Sequence, residues 1–248
     1  MRILLCTFLL SAVLTGVDMQ APEPPLGETR LTVHTLGRED IFAGFQADDM
    51  RRLDRAERNI EILLKDRPAE RANLLAWKGG AVLYRAVIAH EAKKTDEFNR
   101  QLAMARDAFA EAAALKSGND GVQAITGGSF VLFSDRLPEA QREAAWAQAY
   151  DAYSALWKDQ SAIVLKLPVH HRGELLSGMA VSAHRTGRTE QSAEFVDKMI
   201  EQLPETSYQA AAQAWKANPG SVGLTCRSCH APGRLADRLA VLNKGSLR

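Results

Sequence analysis

Cysteine is nearly missing from this chain. Only three occur in 248 residues, and one of them, Cys6, lies in an apolar run at the start. A chain so poor in cysteine is not a small domain stapled by disulfides. Aromatic residues are scarce as well, at 6%. Excess charge is absent: the formal net charge is +1, which argues against a general nucleic-acid binder. Beyond the first residues no apolar run is long enough to span a bilayer. No stretch alternates apolar and polar residues between hairpin turns, so a sheet is not expected. There is no phosphate-binding loop and no dinucleotide fingerprint. The stretches "GSF" and "LLSGM" lack the strand–turn setting of a serine nucleophile elbow.

What the chain does contain begins with an export signal. "MRILLCTFLLSAVLTG" opens with Arg2 and continues as an apolar run from Ile3 to about Gly16. That length suits the core of a secretory signal and is short for a membrane span. Cleavage is expected after Gly16 or Ala21, with an uncleaved N-terminal anchor as the alternative. Residues 1–21 are therefore assigned as leader, and the Pro- and Gly-rich residues 22–40 as linker. Removal of the leader also removes Cys6. The exported chain then keeps two cysteines, Cys226 and Cys229, and a periplasmic or otherwise exported location is expected.

Residues 41–217 are rich in Ala, Leu, Arg, Glu and Gln, and carry helical periodicity throughout. Apolar stripes run through Leu53, Ala56, Ile60, Leu63 and Leu64, and through Phe98, Leu102, Ala105, Phe109 and Ala112. Helices are predicted over 70–92, 121–133, 172–186, 189–203 and 207–217, with another after Pro138, placed in its first turn. Breaks near 66, 118, 168 and 204 divide the region into helix pairs. An all-α architecture of antiparallel helical hairpins, stacked as an array or bundle, is the expected fold class.

Residues 173–204, "GELLSGMAVSAHRTGRTEQSAEFVDKMIEQLP", resemble one tetratricopeptide repeat. Leu176 and Met179 lie on a first helix, Ala180 between helices, Gly187 at the turn, Val196 and Ile200 on a second helix, and Pro204 closes the unit. "RAERNIEILLKDRP", 55–68, resembles the second helix of another such repeat. The resemblance covers about a third of the chain and implies a scaffold; a plain helical bundle competes with it.

The chemistry lies at the C-terminal end. "CRSCH", residues 226–230, is the attachment signature of c-type haem and is similar to that of the c-type cytochromes. In a helical turn, residues three apart project from one side, so Cys226 and Cys229 can each form a thioether with one vinyl group of a porphyrin. His230 follows directly as proximal ligand to the iron. The resemblance also implies maturation outside the cytoplasm, in agreement with the leader. Three other readings compete: a chance match, a thiol–disulfide exchanger, which would want a βαβ setting, and half of a zinc site, to which His170 and His171 could be brought by folding.

Neither Met nor His occurs after His230. The compact small cytochromes c place the motif early and a Met ligand late, and this chain departs from them. A late motif is similar to that of cytochromes c′, whose iron is often five-coordinate. The sixth ligand is therefore one of Met179, Met199, His184, His170, His171 and His90, or none. Met179 and Met199 fall on core stripes, His184 is expected at the surface before the "RTGR" turn, and the His170–His171 pair is expected in a loop. Trp215 and Tyr208 precede the motif and could cover a haem face or simply pack a surface helix. Residues 218–248 carry Arg227, Arg234, Arg238, Lys244 and Arg248 against Asp237 alone. "ADRLAVLNKG" reads as a short closing helix.

Together these observations predict a monohaem c-type cytochrome that carries single electrons to a redox partner protein, with an enzyme that uses a vacant iron site left open as a weaker reading. The alternatives are an interaction scaffold of a redox complex and a gas-binding or gas-sensing haem protein with an open iron site.

Overall fold

The computed structural model describes residues 37–115, 119–220 and 223–224. The leader, most of the linker, the haem-attachment motif and the closing helix read from the sequence lie outside the described residues. Among the described residues all regular structure is helical. Nine α-helices follow in order: α1 Arg38–Ala47, α2 Met50–Asp66, α3 Arg71–Glu91, α4 Thr95–Ala114, α5 Asn119–Phe133, α6 Glu139–Gln160, α7 Val169–Arg185, α8 Thr189–Gln202 and α9 Ser207–Ala217. Short 3-10 turns at Pro68–Glu70, Ser134–Arg136 and Ser161–Lys166 join some of them.

Local chemistry sets the boundaries. Asp49 caps α2 by accepting the Arg52 amide at 3.2 Å, and Thr206 caps α9 by accepting that of Gln209 at 3.2 Å. Pro138 and Pro168 stand immediately before α6 and α7, where the fixed proline φ orients the chain into the first turn. Pro138 thus precedes its helix instead of sitting in the first turn. Gly187, with φ 77°, takes the left-handed step that ends α7.

The helices pack as antiparallel neighbours in successive pairs, α1 with α2, α3 with α4, α5 with α6 and α7 with α8. The expected breaks near 66, 118, 168 and 204 all fall between pairs. Contacts of α3 with α5 and of α5 with α7 join consecutive pairs through their first helices. The sequence stripes face inward as periodicity requires: Leu53, Ala56 and Ile60 of α2 and Phe98, Leu102, Ala105, Phe109 and Ala112 of α4 are all buried.

Small residues on the first helices allow close approach. A methyl group built on Gly79 would lie 2.8 Å from the Phe109 ring, and one built on Gly127 would lie 2.7 Å from that of Tyr153. Gly178 of α7 faces the same tyrosine more closely still. Tyr153 of α6 is therefore wedged between α5 and α7, and side chains in place of the glycines would push the pairs apart.

Helix α1 begins at Arg38 and lies over α3 and α5. Phe45 meets Tyr84 of α3 at 5.1 Å between centroids and Phe133 at 4.7 Å. A buried ion cluster ties α1 to α2. Asp40, fully buried, accepts from Arg55 Nε at 2.6 Å and Nη2 at 2.5 Å and from Arg52 Nη1 at 3.0 Å.

Candidate functional site

The last described residues lead directly into the motif. Helix α9 lies against α8, tied by Lys216 to Asp197 at 2.6 Å, and its two aromatic residues reach α7. At its start, the Tyr208 ring rests where a Gly173 side chain would stand. The Tyr208 hydroxyl donates to Glu174 Oε1 at 3.1 Å and lies 3.2 Å from His170 Nδ1. At its end Trp215 is buried and meets the His184 ring edge-on at 5.3 Å. The two contacts set α9 parallel to α7, as the first helix of a following pair would lie. After α9 the chain turns at Gly220, φ 83°, and a Cβ there would stand 4.0 Å from His184 Nε2. Leu224 is buried in the main core, two residues before Cys226.

Cys226, Cys229 and His230 lie outside the described residues. The upstream histidines and methionines are placed. Met179 is buried on α7, its sulfur 3.9 Å from the Ser154 hydroxyl, and Met199 is fully buried on α8; both pack in the main core. His90 is half-buried at the end of α3, its ring 5.6 Å from that of Phe98, on a helix pair remote in sequence from the motif. His184, expected at the surface, is half-buried because Trp215 covers one edge of its ring. His170 and His171, expected in a loop, stand in the first turn of α7, since Pro168 starts the helix earlier than periodicity suggested. Both are exposed. His184 stands beside Trp215 and Gly220 at the end of α9, whereas His170 meets α9 at its start.

His170 and His171 also border a cavity of about 530 Å³ that the sequence did not signal. It is lined by residues of α1, α5, α6 and α7 and by Trp77 of α3. Five helices contribute, each with residues whose spacing reads only as core periodicity. No linear pattern could have revealed it.

Among the described residues no group of three or more His, Cys, Asp or Glu side chains is placed to hold a metal ion, and no helix is long and apolar enough to cross a membrane. Comparison with protein-family models, with curated proteins and with solved structures returned no match for this chain.

Proposed function

We propose that this chain is an exported monohaem c-type cytochrome whose helical pairs form a tetratricopeptide-like array. Cys226 and Cys229 anchor the haem and His230 ligates its iron. The observation that carries the reading is "CRSCH" in a chain that opens with an export signal and keeps no other cysteine once that signal is removed. The surroundings of the motif's entry fit such a group: a buried indole, Trp215, and a partly accessible imidazole, His184, border the chain just before it. When bound, haem supplies a one-electron couple at its iron.

The chain's own residues have separate tasks in this reading. Leu224 and Trp215, both buried, fix the root of the haem segment to the array. The five basic side chains of residues 218–248 pair with haem propionates or draw in an acidic redox partner. The rows of first and second helices present a surface for that partner.

The test is the visible spectrum of protein purified from the periplasm, before and after acid–acetone extraction. A band that survives extraction in the wild type and is lost from the Cys226→Ser/Cys229→Ser variant is expected. Colourless protein, or pigment fully extracted by acid–acetone, contradicts the reading. Carbon monoxide added to the reduced protein separates an occupied sixth position from an open one.

A further inference from the structure

The connection between α6 and α7 carries a surface feature that the haem reading does not use. Ser161–Lys166 form a 3-10 turn, in which residues three apart stand above one another. Val164 and Leu167 therefore share the inward side, where Val164 is buried and Leu167 packs on the core. The other two rows, Ala162 with Leu165 and Ile163 with Lys166, turn outward, and all four residues are exposed. Pro168 then leads into α7, whose first residue, Val169, is exposed as well. Among the described residues the large apolar side chains exposed to solvent are Ile62, Met104, Ile163, Leu165 and Val169. Ile62 and Met104 stand singly on α2 and α4, which is ordinary for a surface. The other three gather on this one connection, and Leu165 is the most exposed of all, at 65%. An apolar cluster of this kind marks an interaction site.

Charge indicates what it meets. Residues 160–173 contain no Asp or Glu and include Lys166 and Arg172. Lys158 stands exposed in the last turn of α6. Among the described residues neither Lys158 nor Lys166 is in an ion pair. The flanking acids are Asp159 and Glu174, and Glu174 accepts a hydrogen bond from Tyr208. Exposed apolar side chains edged by free lysines suit a surface that is apolar inside and anionic at its rim. Shape favours a bilayer over an acidic protein. The cluster sits on the turn that ends a helical hairpin, and α6 and α7 pack on each other behind it. Three side chains on a tip fall far short of the roughly 800 Å² that each partner gives a stable protein interface. A bilayer needs no matching pocket, and lysine stems can lie along apolar surface while the ammonium groups stay in water.

We infer that the α6–α7 tip docks on the surface of a bilayer that contains anionic lipid. Ile163, Leu165 and Val169 enter the headgroup region, and Lys158 and Lys166 stay level with the lipid phosphates. The inference does not rest on the haem assignment.

Flotation of the full chain with vesicles tests this, using phosphatidylglycerol and phosphatidylcholine in equal parts and, in parallel, phosphatidylcholine alone. Binding to the anionic vesicles is expected to be about tenfold or more the stronger, since each lysine near such a surface contributes about fivefold. Ile163→Ser/Leu165→Ser is expected to weaken it by about tenfold or more, and Lys158→Ala/Lys166→Ala by a similar factor. All four positions are exposed, so helicity is retained. Ile62→Ser, at a single exposed position of α2, is expected to change nothing. Amide hydrogen exchange gives the place of contact: residues 161–169 are expected to exchange more slowly when anionic vesicles are added. Absent binding, equal binding to both vesicles, unchanged binding of Ile163→Ser/Leu165→Ser, or slowed exchange only outside 161–169 would overturn the inference. Capture of polyglutamate without vesicle binding would assign the tip to an acidic protein, and a dimer dissolved by Ile163→Ser/Leu165→Ser would assign it to a second copy; either result overturns the inference too.

Discussion

Asp40 is a carboxylate with no exposure to solvent, held by guanidinium groups twelve and fifteen residues further along. Removal of one member of a buried ion pair leaves the other desolvated and uncompensated. Asp40→Ala is therefore expected to destabilise the fold by about 3–5 kcal/mol in urea unfolding, far more than loss of an exposed pair such as Lys198–Glu194. Tyr84 shows a different effect of burial. Its hydroxyl donates to Asp48 at 2.6 Å and its ring stacks on Phe133. Burial, with the hydrogen bond and charge of Asp48, raises its pKa to about 12. An unfolded tyrosine loses its proton near pH 10. The unfolded state thus binds fewer protons between those values. The stability that Tyr84 contributes is complete below about pH 10 and is lost as pH rises through about 12. The unfolding free energy of wild type should fall towards that of Tyr84→Phe across this window, and a constant gap between the two would refute the assignment. Neither residue was legible beforehand. Asp40 was assigned to the linker, and Tyr84 fell inside the helix expected over 70–92 with nothing to single it out, because partners so distant in sequence leave no local pattern.

At the scale of the element, periodicity located most helices and missed one. The stripes of α2 and α4 were legible because their buried residues recur every three or four positions. Helix α1 was not, since it is short and its buried Ile41, Phe45 and Asp40 mix apolar and charged residues beside a Pro- and Gly-rich segment. The helix expected over 121–133 forms as α5 although it contains Gly127 and Gly128. Gly127 gives room to Tyr153, and packing across the helix outweighs the weak propensity of glycine. Two further glycines separate the effects of space and of backbone. Gly178→Ala would drive a methyl group into the Tyr153 ring, and is expected to cost about 1–3 kcal/mol through overpacking. Gly187→Ala meets nothing within 4 Å, and its expected cost of about 1–2 kcal/mol comes from the positive φ alone. Combining Gly178→Ala with Tyr153→Leu should recover part of the first loss, because the clash goes with the ring. Recovery of Gly187→Ala by the same change would contradict this division.

For the whole molecule, the hairpin plan was legible from four turn-rich breaks, and the structure places each between antiparallel pairs. The cavity was not legible, since it exists only after α1, α3, α5, α6 and α7 have assembled. The proposed haem motif is the reverse case. Under the cytochrome reading its chemistry is carried by five consecutive residues, while the choice of a sixth ligand depends on assembly. Of the six candidates, packing puts Met179 and Met199 in the core and leaves His184 beside the chain that enters the motif. Intact mass of the mature protein recovered from the periplasm, measured under denaturing conditions beside its Cys226→Ser/Cys229→Ser variant, tests the central claim most directly. The account predicts a wild-type chain cleaved after Gly16 or Ala21 and heavier than its polypeptide by one haem, with the increment absent from the variant. A wild-type mass equal to that of the bare polypeptide would contradict it.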